Sequence, residues 1–575
     1  MWTQYITVLW PEFLLVAAAC VLFLLGTVAT PAARRLVPVI SLIALGVVFL
    51  VNLFQHVDTQ FGDRDPTNVI LVNNFAIYIK MLAAGMGMLF VLLSWPTSPD
   101  STRNSALDVG QDVGEFFALM LLAITGILLV ASAQDIILLF LGIELASIPT
   151  YIMVSISRPL PVAQEAGVKY FFLGAMSAAL MLFGFSYLYG TTGYTDLGQI
   201  SSVLHSAAGT SSLNTWQLLA FVMLLSGFAF KIAAVPLHAY AGDVYQGAAT
   251  PVTALLAFVP KTSGFVALIK ILNVIAGPDW IAPDVVIKLL WIIAVLTMSF
   301  GNVLGLLQFN VKRVLAYSSV AHSGYMLVGL TALLAAKGLP NAPEIQKTAL
   351  AGVLFYLAAY GVMNTGAFGV LMMLPGRTDA PGRHGPDGTP FSTAESAETF
   401  EDLAGQGNRH LLLGLAMAVC CLSLTGIPLT VGFFGKVLLI KPAWAVASAG
   451  TGSLFTSRMF WLVVITMINA AVSAAYYLKI ISTMFLRTDS TEAAQAAGIV
   501  PAPAGVFRSA PVGLAVALSA AGTLFFGVFL PGTNALTTRV QEAVGGRQAT
   551  SPQAPAIHRA SLRAASDGSR MADGR

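Results

Sequence analysis

Apolar residues in this chain fill whole stretches of about 20 positions, the length a helix needs to cross the hydrocarbon core of a bilayer. Such stretches fall near 9–29, 36–54, 74–94, 114–132, 135–155, 166–189, 216–235, 250–275, 284–306, 312–336, 348–374, 411–439, 459–485 and 511–531. Most are apolar on every face, as helices surrounded by lipid require. The pattern therefore predicts an all-α integral membrane protein of about fourteen transmembrane helices. The chain divides into three spans over 1–113, five-helix units over 114–275 and 284–485, and a last span within 486–531. A polar loop at 375–410 interrupts the second unit, and residues 532–575, rich in Ala, Ser, Gly and Arg, read as a disordered tail.

Composition supports this reading. Of 575 residues, 57% are hydrophobic and only 10% charged, against about 25% charged in soluble proteins. Too few charges exist to cover water-facing domains. Net charge is +3 and no basic run is interleaved with aromatics, which excludes a nucleic-acid partner. Cys20, Cys420 and Cys421 lie inside apolar runs without a CxxC or a nearby His, so neither an iron–sulfur nor a structural zinc site is expected. Gly432-Phe-Phe-Gly-Lys436 is followed by Val437 where a phosphate-binding loop needs Ser or Thr, so no nucleotide site is expected either.

Loop charges give an orientation. One set of alternating loops carries Arg34, Arg35, Arg103, Arg158, Lys312, Arg313, Arg377, Arg383, Arg409, Arg487 and Arg508. The other carries Arg64, Lys337, Lys347, Lys441 and Arg458. The richer set belongs in the cytoplasm, which leaves both termini on the outer side of the cell membrane. Six Arg beyond Pro531 oppose that count.

An ionisable group at mid-membrane costs at least about 2.5–3.5 kcal/mol, so each one needs a reason. Lys80, Lys169, Lys270, Lys288 and Lys479 lie within two turns of a helix end and are expected to reach the headgroups. Glu144, Lys231, Lys261 and Lys436 are too deep for that, and mutual pairing is the expected way to hold them. Pro236 and Gly426-Ile427-Pro428 break the helices beside Lys231 and Lys436. Unwound backbone at membrane depth is tolerated only inside protein or along a hydrated cavity, as in an ion path.

The two five-helix units correspond. Each has an ionisable group in its second helix, Glu144 and then His322, and a Lys in its broken fourth helix, Lys231 and then Lys436. Five being odd, two copies must lie inverted relative to each other, the plan of many transporters. A lysine in low dielectric takes up and releases a proton readily, and a carboxylate that pairs and unpairs with it controls that exchange. His322 is placed to relay between Lys261 and Lys436, or else simply to bridge helices. His238, just past the break at Pro236, either guides protons in or caps unwound backbone.

The stretch from Lys231 through His238 and Asp243 to Pro251, then Pro260-Lys261, the run Lys312–Tyr325 around His322, and Gly426–Lys436 closely resemble the antiporter-like membrane subunits of respiratory complex I, in particular the N type. The resemblance spans about 114–485. Lys436 sets the chain apart from subunit M, which typically has Glu there, and the polar tail sets it apart from subunit L, which continues into a lateral helix. Tyr240, Gly242 and Ala249 depart from the usual Trp, Pro and Pro, and put the shape of that loop in question. The resemblance implies a proton-pumping, non-redox subunit with no cofactor of its own. NADH, FMN, iron–sulfur clusters and quinone are then bound by partner subunits, and the chain sits beside subunit M and small membrane subunits. Glu144 and Lys231 are implied as the coupling pair, Lys261 as the central relay and Lys436 as the terminal group. An Mrp-type Na⁺/H⁺ antiporter subunit and a membrane-bound hydrogenase subunit share this architecture. A scaffold whose charges only hold helices together is the remaining alternative.

Overall fold

A computed structural model of the chain describes residues 2–28, 30–55, 69–96, 107, 109, 112–206, 213–275, 283–339, 341–376, 396–449, 457–487, 509–528 and 530–545. The protein is all-α; β-type pairing among the described residues is confined to isolated bridges such as Asn310 to Thr399. Three long helices, α1 (Trp2–Gly26), α2 (Pro31–Gln55) and α3 (Asn74–Leu93), come first. The next stretch contains α4 (Val113–Ser132), α5 (Ile136–Ile156), α6 (Pro161–Thr192), the short α7 (Leu197–Ser206), α8 (Thr215–Lys231), α9 (Ala241–Gly247), α10 (Thr250–Leu256) and α11 (Val259–Ile275). It is followed by α12 (Asp284–Leu306), α13 (Val311–Ala335), α14 (Ala342–Met373), the short α15 (Phe400–Leu403) and α16 (Gln406–Arg409), α17 (Leu411–Thr425), α18 (Val431–Ala449) and α19 (Arg458–Phe485). Helices α20 (Ala510–Val528) and α21 (Leu530–Gly545) follow.

Among the described residues thirteen helices are long and apolar enough to cross a membrane, and a fourteenth is reached by joining α15–α16 to α17 across a 120° bend. The stretch α10–α11 is wholly buried and α13 and α14 almost so, whereas α6 and α20 bury only about a third of their apolar windows. The polar chemistry therefore sits in a central layer, with lipid-facing helices around it. Lipid tails are as apolar as Leu, so association relies on close contact rather than on the hydrophobic effect. Gly126 of α4 provides one such contact: a methyl there would lie 2.6 Å from the Cα of Ala146 on α5.

Local chemistry fixes the ends that matter. The Asp135 carboxylate accepts from the backbone N–H groups of Ile137 and Leu138 and so starts α5. Asn214 and Gln217 form a reciprocal capping box at the start of α8. Pro236 disfavours helix at Val235, and Ala233, at φ 55°, has already left the helix. Gly426, at φ 87°, ends α17 in the left-handed conformation that glycine adopts without steric cost.

Several expectations change. The stretch 411–439, expected as one span, is two helices separated by residues 426–430. The stretch 216–235 is a shorter helix that stops at Lys231. Residues 532–545 of the expected disordered tail belong to α21, where Val540, Ala543 and Val544 recur on one face and are buried. Residues 546–575 lie outside the described residues.

Lys80 does not reach toward the headgroups. Its ammonium lies 2.7 Å from Glu12 of α1, with both side chains almost fully buried. Arg158 and Lys312, counted as loop charges, are also buried, and both meet the Glu398 carboxylate, at 2.6 and 3.4 Å.

Candidate proton-transfer chain

Glu144, Ser147 and Tyr151 fall at i, i+3 and i+7 on α5, a spacing that puts them on one helix face. Lys231, the last residue of α8, points into that face. Its ammonium donates to Glu144 Oε1 at 3.0 Å, Ser147 Oγ at 2.8 Å and Tyr151 Oη at 3.1 Å. A helix C-terminus favours a positive charge, so the position supports the ammonium as well. On the opposite side, Gly264 of α11 packs against the Lys231 side chain, where a methyl would come within 3.0 Å of Cβ.

Lys261, in the first turn of α11, is buried and donates to the Ser319 carbonyl of α13. The Tyr360 ring of α14 lies under its ammonium, 5.3 Å from Nζ to the centroid. Backbone links Lys261 to the end of α8: the Ser323 hydroxyl donates to the Ile232 carbonyl at 2.5 Å and also reaches the Ser319 carbonyl.

His322 is fully enclosed in α13. Its Nδ1 pairs with the Tyr356 hydroxyl at 2.7 Å and its Nε2 with the Tyr477 hydroxyl at 3.0 Å. The Tyr477 hydroxyl is in turn hydrogen-bonded to Ser318. Two further rings touch the imidazole, Tyr360 at 5.1 Å and Tyr325 at 5.6 Å between centroids.

Lys436 lies on the second half of the broken helix and reaches back to the first. Its ammonium donates to the carbonyls of Leu424 at 3.1 Å and Thr425 at 2.6 Å, at the C-terminal end of α17. Those carbonyls lack intrahelical donors, and the dipole there favours a cation. The Tyr325 ring lies 4.9 Å from Nζ.

The expected residues are thus brought together in order: Glu144, Lys231, Lys261, His322, Lys436. Tyr360 touches both Lys261 and His322, and Tyr325 touches both His322 and Lys436. Sequence reasoning missed the tyrosines and Ser147, although the polar positions 144, 147 and 151 on one face were a readable signal. It also expected the deep charges to pair with one another. Among the described residues only Lys231 of these three lysines has a carboxylate partner; Lys261 and Lys436 are held by backbone carbonyls and aromatic faces. His238 stands apart, its ring facing Phe300 of α12 at 6.4 Å, with no described contact to the other site residues.

Two ionic clusters flank the chain. Asp243 of α9 accepts from Arg313 at 2.8 Å and from Lys169 at 3.1 Å. Lys312 donates to Glu398 and to the carbonyls of Gln246 and Ala248, tying α13 to the α9–α10 turn. Among the described residues no group of three or more His, Cys, Asp or Glu side chains gathers to hold a metal ion.

Residues 133–466, which contain this whole chain of groups, match the family described as NADH:quinone oxidoreductase/Mrp antiporter, TM. The chain belongs to that family. Relatives extend the likeness to nearly full length. The NADH-quinone oxidoreductase subunit N of Trichlorobacter lovleyi is 36% identical over 92% of this chain and 95% of its own. That of Myxococcus xanthus is 34% identical over 91% and 94%. Among solved structures, a chain of respiratory complex I from Thermus thermophilus superposes with a TM-score of 0.66 at 27% identity, covering 91% of this chain and 97% of that one. A chain of the Mrp complex from Dietzia superposes with a TM-score of 0.68 at 18% identity, over 93% and 97%, a likeness of fold alone. The antiporter-family fold is common to both assemblies, while the relatives with closer sequences are oxidoreductase subunits.

Proposed function

We propose that this chain is a proton-translocating membrane subunit of an NADH–quinone oxidoreductase of the complex I type. It sits in the cell's inner membrane beside the other membrane subunits, the antiporter-like subunit M among them, with its termini on the outer side. It carries no redox group; NADH, FMN, iron–sulfur clusters and quinone belong to partner subunits. The reading rests on one observation, the succession of buried ionisable groups from Glu144 to Lys436, joined between Lys231 and Lys261 through Ser323 and backbone carbonyls and beyond Lys261 by Tyr360 and Tyr325.

In this scheme Glu144 and Lys231 form the switch. While paired, the carboxylate holds the proton on the lysine; once Glu144 moves away, the ammonium is left in low dielectric and gives up its proton. Lys261 takes that proton on, and Tyr360 shields the passage to His322. A neutral imidazole donates through one ring nitrogen and accepts through the other, so it can receive a proton on one side and release it on the other. Lys436, stabilised by the end of α17, is the terminal store before release. His238, at the break after α8, serves as the intake from the cytoplasm. The units 114–275 and 284–485 act as inverted copies, each hinging on its broken helix.

Lys231→Ala tests the scheme. In the complete complex reconstituted into liposomes, this variant should abolish both the proton gradient and the quinone reduction coupled to it. Normal pumping by a fully assembled Lys231→Ala complex would sink the proposal.

A further inference from the structure

A lysine ammonium has three N–H donors. All three are in use at Lys231, on Glu144 Oε1, Ser147 Oγ and Tyr151 Oη, at 3.0, 2.8 and 3.1 Å. The polarity of two of the three groups is fixed. The Ser147 hydroxyl gives its own proton to the Ile143 carbonyl at 2.7 Å and can only accept from the lysine. An ionised carboxylate also only accepts. The Tyr151 ring is held edge-on by Tyr170 at 4.6 Å, Tyr170 stacks on Tyr240 at 5.1 Å, and the Tyr240 hydroxyl closes on the Phe230 carbonyl at 3.0 Å, one residue before Lys231. The seat is therefore braced by the same backbone that carries the lysine.

We propose that Ser147 and Tyr151 are positioning residues that, with Glu144, form a three-acceptor seat selective for the protonated form of Lys231. A neutral amine has two N–H groups and a lone pair: it would donate to two of the three groups, take a hydrogen bond from the Tyr151 hydroxyl at its lone pair, and lose the charge assistance that strengthens all three contacts of the ammonium. The seat thus sets how firmly the first lysine of the chain keeps its proton while the ion pair is closed. Two neutral hydroxyls do part of the work otherwise given to the carboxylate, so Lys231 keeps two acceptors when Glu144 turns away.

The inference rests on the proton-translocation reading above. The titratable groups that contact Lys231 are Glu144 and Tyr151 on α5; of the helices packed against α8, α6 carries Tyr170, which stacks on Tyr240 behind the seat, and α11 carries Lys261. Ser147→Ala and Tyr151→Phe each remove one acceptor without altering any of those charges.

The test measures quinone-reductase-coupled proton pumping against pH in the complete complex, for the parent, Ser147→Ala, Tyr151→Phe and Lys231→Ala. A charge-assisted hydrogen bond of about 1.5 kcal/mol corresponds to about one pH unit. Each seat variant should therefore move the alkaline limb of the profile down by about one unit, with assembly preserved, and Ser147→Thr should restore it. Lost activity with an unmoved limb would mean a purely structural role and would overturn the inference. If Tyr151→Phe does not assemble, Ser147→Ala decides alone. Full pumping by Lys231→Ala would remove the underlying reading, whereas its loss beside unmoved limbs in the seat variants would remove the seat only.

Discussion

Lys80 on α3 and Glu12 on α1 meet at 2.7 Å, with side chains 1% and 4% exposed, among the first three helices of the chain. Removing one partner of such a pair leaves a buried charge uncompensated. Lys80→Met should destabilise the protein by about 3–5 kcal/mol, and adding Glu12→Leu should recover most of the loss. Thermal unfolding in detergent checks both variants; a double variant as unstable as the single one would contradict the account.

Glu398 binds Arg158 at 2.6 Å and Lys312 at 3.4 Å, joining the end of α5 to the start of α13. Glu398→Ala takes away the carboxylate these two buried cations share. The expected cost is about 3–5 kcal/mol, read as a lower unfolding temperature and faster proteolysis near residue 398. Glu398→Gln should fall between the variant and the parent, since it keeps the shape and one acceptor.

Asp243 lies on α9, outside the apolar spans. Partial burial raises its affinity for a proton, but the hydrogen bonds and charges of Arg313 and Lys169 outweigh that and hold its carboxyl below the ordinary carboxylate range. A depressed native value gives stability that is present above the unfolded value and is lost as pH falls through the native one. Asp243 is 43% exposed, so the contribution should stay below about 1 kcal/mol. Asp243→Asn should flatten the acid end of the unfolding-temperature profile while changing little at neutral pH. An acid limb identical to the parent's would count against this assignment.

Gly426 ends α17 at φ 87°, and a methyl there would sit 2.9 Å from Cδ of Lys436. Gly426→Ala should cost about 1–2 kcal/mol from the left-handed backbone alone. It should also push the Lys436 ammonium off the Leu424 and Thr425 carbonyls. Coupled pumping should fall further than stability does, and an assembled Gly426→Ala complex with normal pumping would show that this contact is dispensable.

Much of the site was legible because the bilayer is a harsh filter. Glu144, Lys231, Lys261 and Lys436 stand out wherever charge is costly, and Pro236 and Gly426 mark the breaks without any coordinates. Lys80 escaped because distance from a helix end was used as a proxy for reach. Its side chain is long enough to snorkel, and only the position of α1 shows that it turns inward to Glu12. Arg158 and Lys312 escaped for the related reason that a loop charge and a span-end charge look the same in one dimension. Helix α21 was taken for disorder because its few apolar residues gain weight only when there is a bundle to bury them.

By itself, the sequence determined that the chain lives in a membrane, where its helices break and which charges demand an explanation, because each follows from the local cost of placing polar groups in hydrocarbon. Tertiary structure alone decided what answers those charges. Lys231 finds a carboxylate and two hydroxyls, Lys261 a carbonyl of a neighbouring helix, and Lys436 the open end of its own broken one. The tyrosines that join Lys261, His322 and Lys436 come from α13 and α14. Contacts between residues so distant in sequence depend on how helices pack, and that packing leaves no local pattern to read.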